Sequence, residues 1–253
     1  MIEKQYDKVD LKIFDTRAEM GRVAAEEAAA CLRELLEKEP EINCIFAAAP
    51  SQSEFLEELC KQPGIDWNRV NGYHMDEYVR LPLGHEKSFN HFLSESIFNK
   101  VPFKSVNLID GSRPVEEETA RYGQLLRNAP THVTFMGIGE NGHIAFNDPP
   151  VADFEDKEVI KKVKLDLVCR QQQVHDKCFD TLDEVPEYAL TVTVPRLMAS
   201  QYIFCIVPSD KKHDATVAAL TGPVSTACPA SILRRTDNVR MYIDKACAGD
   251  LAE

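Results

Sequence analysis

Short apolar runs alternate with amphipathic stretches along this chain, and that alternation limits the fold more than any other feature. Asn43 to Ala49 is short, almost wholly apolar and bounded by polar residues. Such a run suits a strand buried on both faces, as in a parallel sheet. Further candidate strands are Val70 to Met75, Val106 to Leu108, Val133 to Gly137, Leu190 to Val194, Tyr202 to Val207 and Val239 to Ile243. Between them lie helical stretches. Thr16 and Glu19 form a capping box, and Met20, Val23, Ala24, Cys31, Leu32, Leu35 and Leu36 then follow helical spacing. Glu54 to Leu59 reads as a second helix, with others near 88–98, 115–128 and 210–220. Strand–helix alternation predicts an α/β fold: a doubly wound, mostly parallel, Rossmann-like sheet with helices on both faces. Residues 150–180 break the pattern. They are rich in charge and glutamine, and a long insertion in a compact domain is expected to be a lid.

The 253 residues suit one domain spanning 1–253. No run approaches the roughly 18 apolar residues of a membrane helix, and Met1 to Gln5 carries no signal-peptide core. A cytoplasmic protein without membrane association is expected. The net charge of −12 gives no counterion-release affinity for nucleic acid, so nucleic acid is excluded as a partner. An anionic ligand would have to be held by a few local cations against the global field. The eight cysteines form no CxxC pair and mostly sit in apolar runs, as expected of reduced buried thiols.

In doubly wound folds ligands sit beyond the carboxyl ends of the strands, where four segments should gather. Ser51, Gln52 and Ser53 fall between a strand end and a helix start. Backbone amides there favour a phosphate, although plain N-capping by Ser51 or Ser53 is an equal alternative. In His74-Met75-Asp76-Glu77-Tyr78 only one of the two adjacent carboxylates can continue the inward face of the strand. Asp76 is a base candidate if it is desolvated; otherwise it is a helix-start carboxylate. The stretch Gly137 to Asp148 ends a strand with Gly137, Gly139 and Gly142 and then presents His143, with Asp148 five residues on. Glycines permit close backbone approach, and a histidine near a carboxylate can shuttle protons near neutral pH. A dinucleotide fingerprint is not indicated, because no acid-ended strand follows about 20 residues later. The last segment is a set of cations. Arg170 and Lys177 lie in the expected lid, and Lys211 and Lys212 start a helix, where a bound anion would offset their unfavourable position against the dipole.

With these segments in place, the sequence resembles the glucosamine-6-phosphate deaminase/isomerase family. The resemblance rests on Met75-Asp76-Glu77-Tyr78-Val79-Arg80-Leu81-Pro82 and Gly137 to Pro149, with weaker support from Tyr188 to Val192 and Gly222-Pro223-Val224. It covers nearly the whole chain. Lactonases of the pentose phosphate pathway share the fold and a related Gly-His turn, but not Ile144-Ala145-Phe146-Asn147. The resemblance implies an enzyme of amino-sugar metabolism that acts on a phosphorylated amino sugar, releases ammonia and uses no cofactor or metal. It places the general base on Asp76 and the ring-opening histidine on His143, with Asn141 and Asp148 as its orienting partners and Gly139 in the binding loop. The phosphate falls to Ser51, Gln52, Ser53 and Lys212, together with either Arg170 or Lys177. Some members assemble as homo-oligomers and others act alone.

Three departures from the family pattern stand out. Many relatives carry aspartate at the position of Asn141 and glutamate at that of Asp148. Asparagine accepts a hydrogen bond but cannot stabilise imidazolium as an anion does. The phosphate loop lacks the usual Thr-Gly-Gly. Val151-Ala152 replaces the serines of allosterically controlled members, so activation by an N-acetylated sugar phosphate is not expected. A sugar-phosphate lactonase and a sensor without catalysis are the alternative readings.

Overall fold

The computed structural model describes residues 1–252. The chain opens with a hairpin, β1 (Ile2–Tyr6) and β2 (Val9–Phe14), and runs into α1 (Arg17–Lys38), where Thr16 Oγ1 accepts the Glu19 amide at 3.1 Å. Then come β3 (Ile42–Phe46), α2 (Ser53–Lys61), β4 (Val70–His74), β5 (Asp76–Tyr78), α3 (Phe89–Leu93), β6 (Ser105–Asn107), α4 (Val115–Asn128) and β7 (Val133–Met136). The remainder is β8 (Ile160–Lys164), α5 (Leu167–His175), β9 (Tyr188–Val192), α6 (Val194–Met198), β10 (Tyr202–Val207), α7 (His213–Thr221), β11 (Val239–Asp244) and α8 (Lys245–Ala248).

Eight strands form the central sheet in the order β1-β2-β11-β10-β7-β3-β4-β6, with every pair parallel except the β1–β2 hairpin. Every residue of β3, β4 and β7 is buried, as the apolar runs require. Alternate side chains feed two cores. Phe204 and Ile206 pack with Phe46, Phe135 and α1, whereas Ile203, Cys205 and Val207 pack with Met136, Tyr122 and α7. The hairpin escapes sequence reading because β1 alternates between half-buried and exposed residues and is largely polar.

Strand order reverses between β3 and β7: the chain builds outward through β4 and β6 on one side of β3 and through β10 and β11 on the other. The connections leaving β3 and β7 therefore diverge, and a crevice opens between them at the carboxyl ends.

Two expectations need correcting. Residues 190–194 were expected to join the parallel sheet. The strand there is Tyr188–Val192, and it pairs antiparallel with β5 and β8 in a separate three-stranded sheet. The cause is a bend at Met75: β4 stays in the main sheet, β5 leaves it, and the Val192 amide donates to the Met75 carbonyl at 2.8 Å. Residues 150–180 are not a featureless insertion, since they supply β8 to the small sheet and form α5.

The bend is held by Glu77, which is fully buried. Its carboxylate accepts the amides of Tyr78 (2.9 Å), Phe89 (3.1 Å) and Asn90 (2.8 Å), and Asn90 Nδ2 at 2.7 Å. It thereby ties β5 to the first turn of α3, where free amides and the positive dipole end favour an anion. Glu77→Ala strands these buried donors, and we expect a loss of about 3 kcal/mol of unfolding free energy in urea titrations. A loss below about 1 kcal/mol would show that the bend does not depend on this clamp.

Candidate active site

The cavity at the switch point is lined by the loop after β3, by Met75 and Asp76, by the turn after β7, by α5 and by Lys212. Asp76 and Glu77 divide as strand alternation demands. Glu77 turns into the α3 clamp, and Asp76, only 6% exposed, faces the cavity. Burial, and next the negative charge of Glu77, push the Asp76 carboxyl well above the ordinary carboxylate range. Phe89 and Phe146, stacked at 5.4 Å, form an apolar wall beside it.

The turn after β7 is built around the His143 ring, which lies directly against the Gly139 Cα, where any Cβ would collide with it. Gly142 sits at φ +82° with Cys228 packed close on it. Ala145 also lies in the left-handed region, at φ +51°, a strained setting for a residue with a Cβ. Asn147 pins the far end of the turn, donating through Nδ2 to the carbonyls of Ile144 and Val192, both at 2.9 Å.

His143 Nδ1 lies 2.7 Å from Asn141 Oδ1 and 3.0 Å from Asp148 Oδ1. Asn141 Nδ2 donates to the same Asp148 oxygen at 3.0 Å. A carboxylate can only accept, so the amide must turn its NH2 to Asp148 and its oxygen to the imidazole. Nδ1 must then carry the ring proton. Nε2 keeps its lone pair and, among the described residues, has no protein partner. Asp148 is fully buried, which by itself would raise its pKa. Hydrogen bonds from His143, Asn141 and the Asp166 amide outweigh that and hold the carboxyl below its ordinary value. Asp148 therefore stays ionised. The Cys169 thiol completes this cluster. Burial first, and then Asp148, push its pKa well up, which keeps it a thiol and a donor.

Across the cavity Lys212 is 5% exposed, and its ammonium has no hydrogen-bond partner. Burial lowers its pKa, while Asp176 and Glu140 oppose the shift. An unpaired buried ammonium is costly, and an anion in the cavity would remove that cost. Gln52 is buried, with Nε2 donating to Ser51 Oγ and to the Ile206 carbonyl, both at 3.1 Å. These bonds tie the loop after β3 to the end of β10, from which the chain leads to Lys212.

Asp76, Gly139, His143, Ser51, Gln52 and Lys212 thus gather around one cavity, with Asn141 and Asp148 directly behind His143. Three other residues lie apart from it. Ser53 is exposed on the first turn of α2. Arg170 turns away and donates from Nη2 to the carbonyls of Leu182 (2.8 Å) and Val185 (2.9 Å), closing the loop behind α5. Lys177 is exposed and lines only a neighbouring recess. Among the described residues lining the main cavity, Lys212 is the one lysine or arginine. Sequence reasoning missed Gln172 and Gln173, which reach the cavity from α5. Gln172 Oε1 accepts the Glu140 amide at 2.8 Å, and Gln173 Oε1 accepts the Tyr78 hydroxyl at 2.6 Å. Their signal was the Arg170-Gln171-Gln172-Gln173 run, but the choice of inward positions depends on how α5 docks.

Fold and site together define a doubly wound α/β enzyme with an acid–base cavity at its switch point. The chain belongs to the glucosamine-6-phosphate isomerase/6-phosphogluconolactonase family, whose model matches residues 15–242. A glucosamine-6-phosphate deaminase of Streptococcus equi subsp. zooepidemicus is 33% identical over 207 residues, covering 81% of this chain and 86% of that protein. Among solved structures, a monomeric glucosamine-6-phosphate deaminase superposes with TM-score 0.84 at 24% identity, covering 94% of this chain and 98% of that one. A 6-phosphogluconolactonase from Trypanosoma brucei reaches 0.80 at 14% identity, covering 98% and 100%. The two superpositions establish the shared fold. No helix among the described residues is long and apolar enough to cross a membrane.

The contact between His143 and Gly139 can be tested without turnover. Gly139→Ala should shift the His143 imidazole resonances in 1H–13C spectra and leave in place those of His132, which binds the Asn43 amide at the amino-terminal end of β3. Unchanged His143 resonances would refute the packing described.

Proposed function

We propose that this chain, acting as one unit over 1–253, is a deaminating aldose–ketose isomerase. Its substrate is an aminohexose 6-phosphate, glucosamine 6-phosphate or its galactosamine epimer. The observation that carries the reading is the convergence of Asp76, His143 and Lys212 on one cavity. The sequence likeness to deaminases supports it over the lactonase alternative.

The phosphate pairs with Lys212 and takes a further hydrogen bond from the Ser51 hydroxyl, which Gln52 Nε2 holds in place. This remote contact supplies binding energy that positions the sugar. His143 Nε2, with its free lone pair, takes the proton of the anomeric hydroxyl as the ring C–O bond breaks, and returns it to the ring oxygen. Nδ1–H meanwhile stays on Asn141 and Asp148, and the Asp148 charge steadies the transient imidazolium. In the open chain Asp76 removes the C2 proton. The electron pair moves into the C1–C2 bond as the C1 carbonyl oxygen takes up a proton, giving an enediol-like species; the proton held by Asp76 is then delivered to C1, and the C2 amine gives up a proton that balances the one taken by the oxygen. That leaves an imine at C2. Water adds to it, the C–N bond breaks, and ammonia leaves with a ketohexose 6-phosphate. Each step balances through proton transfer and one water.

Ammonia release from the two aminohexose 6-phosphates is the direct assay, and no release from either would overturn the proposal. Asp76→Asn should lower kcat about 10³-fold, and His143→Gln about 10²-fold. Lys212→Met should raise KM roughly tenfold or more through the lost phosphate pairing. Lactone hydrolysis that persists in Asp76→Asn would instead support the lactonase.

The pH dependence follows from Asp76. The base works ionised, and burial with the Glu77 charge raises its pKa. Activity should therefore rise with pH through that elevated pKa, placing the acid limb of kcat/KM well above the ordinary aspartate value of about 3.9. A limb at the ordinary value would exclude Asp76 as the base.

A further inference from the structure

The amide of Asn141 does not rest on Asp148 alone. Its Nδ2 also lies 3.3 Å from Asp166 Oδ2. Asp166 is half-buried and adjoins the cluster a second time, because its backbone amide donates to Asp148 Oδ2 at 3.0 Å. It is also the residue that begins α5. Its Oδ1 accepts the Leu167 amide at 2.8 Å, and its carbonyl accepts the Arg170 amide at 2.9 Å. One residue therefore touches both the group that orients His143 and the start of the helix that carries Gln172 and Gln173 to the cavity.

We propose that Asp166 is a positioning residue for His143, acting through Asn141. Two carboxylates facing the same NH2, together with the His143 backbone amide donating to Asn141 Oδ1 at 3.1 Å, leave the amide one orientation. The proton is thereby fixed on His143 Nδ1 and the lone pair on Nε2. The second negative charge that an aspartate at position 141 would bring against the ring is held here one residue further out, on Asp166. The inference rests on the proton-shuttle role given to His143 above.

The charge balance explains why position 141 suits an amide in this chain. An aspartate there would stand beside both Asp148 and Asp166, with the two N–H groups of His143 as its donors, Nδ1–H shared with Asp148, and no donor towards Asp166. Three carboxylates in such contact cannot all ionise, and one must take up a proton or move away. The other ionisable neighbours are the Cys169 thiol behind the cluster, with Asp76, Asp176, Cys178 and Lys212 lining the cavity.

A charge-swap cycle tests this. Asp166→Asn keeps a good N-cap for α5 and removes only the charge. Asp166→Ser keeps a cap and guards against a failure of the first variant to fold. Both should lower kcat roughly tenfold with KM within about twofold, because an orienting contact is weakened and substrate contacts remain. Asn141→Asp should also cost roughly tenfold, and Asn141→Asp with Asp166→Asn should recover to within about threefold of the parent.

Nitrogen-15 spectra of His143 read the same point without turnover. The parent should hold the Nδ1–H tautomer, and Asp166→Asn should populate the Nε2–H form. That readout stands even if ammonia release fails, which separates this inference from the activity proposed above. An unchanged tautomer and kcat in both Asp166 variants would overturn it, as would single losses that simply multiply in the double variant.

Discussion

Reversal of strand order between β3 and β7 is the constraint on which the site depends. A parallel sheet buried on both faces leaves little room for charged side chains within its strands. Polar groups are displaced to the strand ends, and only at the reversal do two neighbouring connections part and leave a crevice. The loop carrying Ser51 and Gln52 leaves β3 there, and the glycine-rich turn carrying His143 leaves β7 beside it. Gln52 links the two halves by reaching the end of β10.

A second constraint is the bend at Met75. Had β4 run on straight, Asp76 and Glu77 would have stayed in a parallel strand with one of them forced into an apolar layer. Transfer of β5 to the small antiparallel sheet lets both be buried and satisfied, Glu77 by four donors and Asp76 by the open cavity. The small sheet also brings β8, and so the start of α5, against Asp148. The segment that looks like an insertion in the sequence is thus part of the wall behind His143.

Buried charge in the site is arranged unevenly. Asp148 is buried yet ionised because donors surround it; Asp76 is buried and raised because they do not. Two carboxylates of the same type are driven in opposite directions by environment. Lys212 is the complementary case, an ammonium buried without a protein hydrogen-bond partner on the cavity wall.

Much of this was legible in sequence. Apolar runs and capping signals located the parallel strands other than β2, and α1, because burial on two faces and free helix amides impose local demands on residue type. The glycines at 139 and 142 marked a turn where something must approach the backbone: His143 does so at Gly139 and Cys228 at Gly142. Sequence could not decide which cations face the cavity. Arg170 and Lys177 lie in a suitable stretch, yet the docking of α5 spends Arg170 on loop carbonyls and brings Gln172 and Gln173 inward. Nor could it see Asp166 behind Asn141, a pairing across 25 residues that exists only because β8 returns along β9. Local chemistry determined the strands, the turns and the reactive residue types, since each follows from what a few neighbouring residues can bury or bond. The orientation of His143, the burial of Asp76 and the choice of Lys212 were decided by tertiary structure, because each depends on charges and donors brought together from distant parts of the chain.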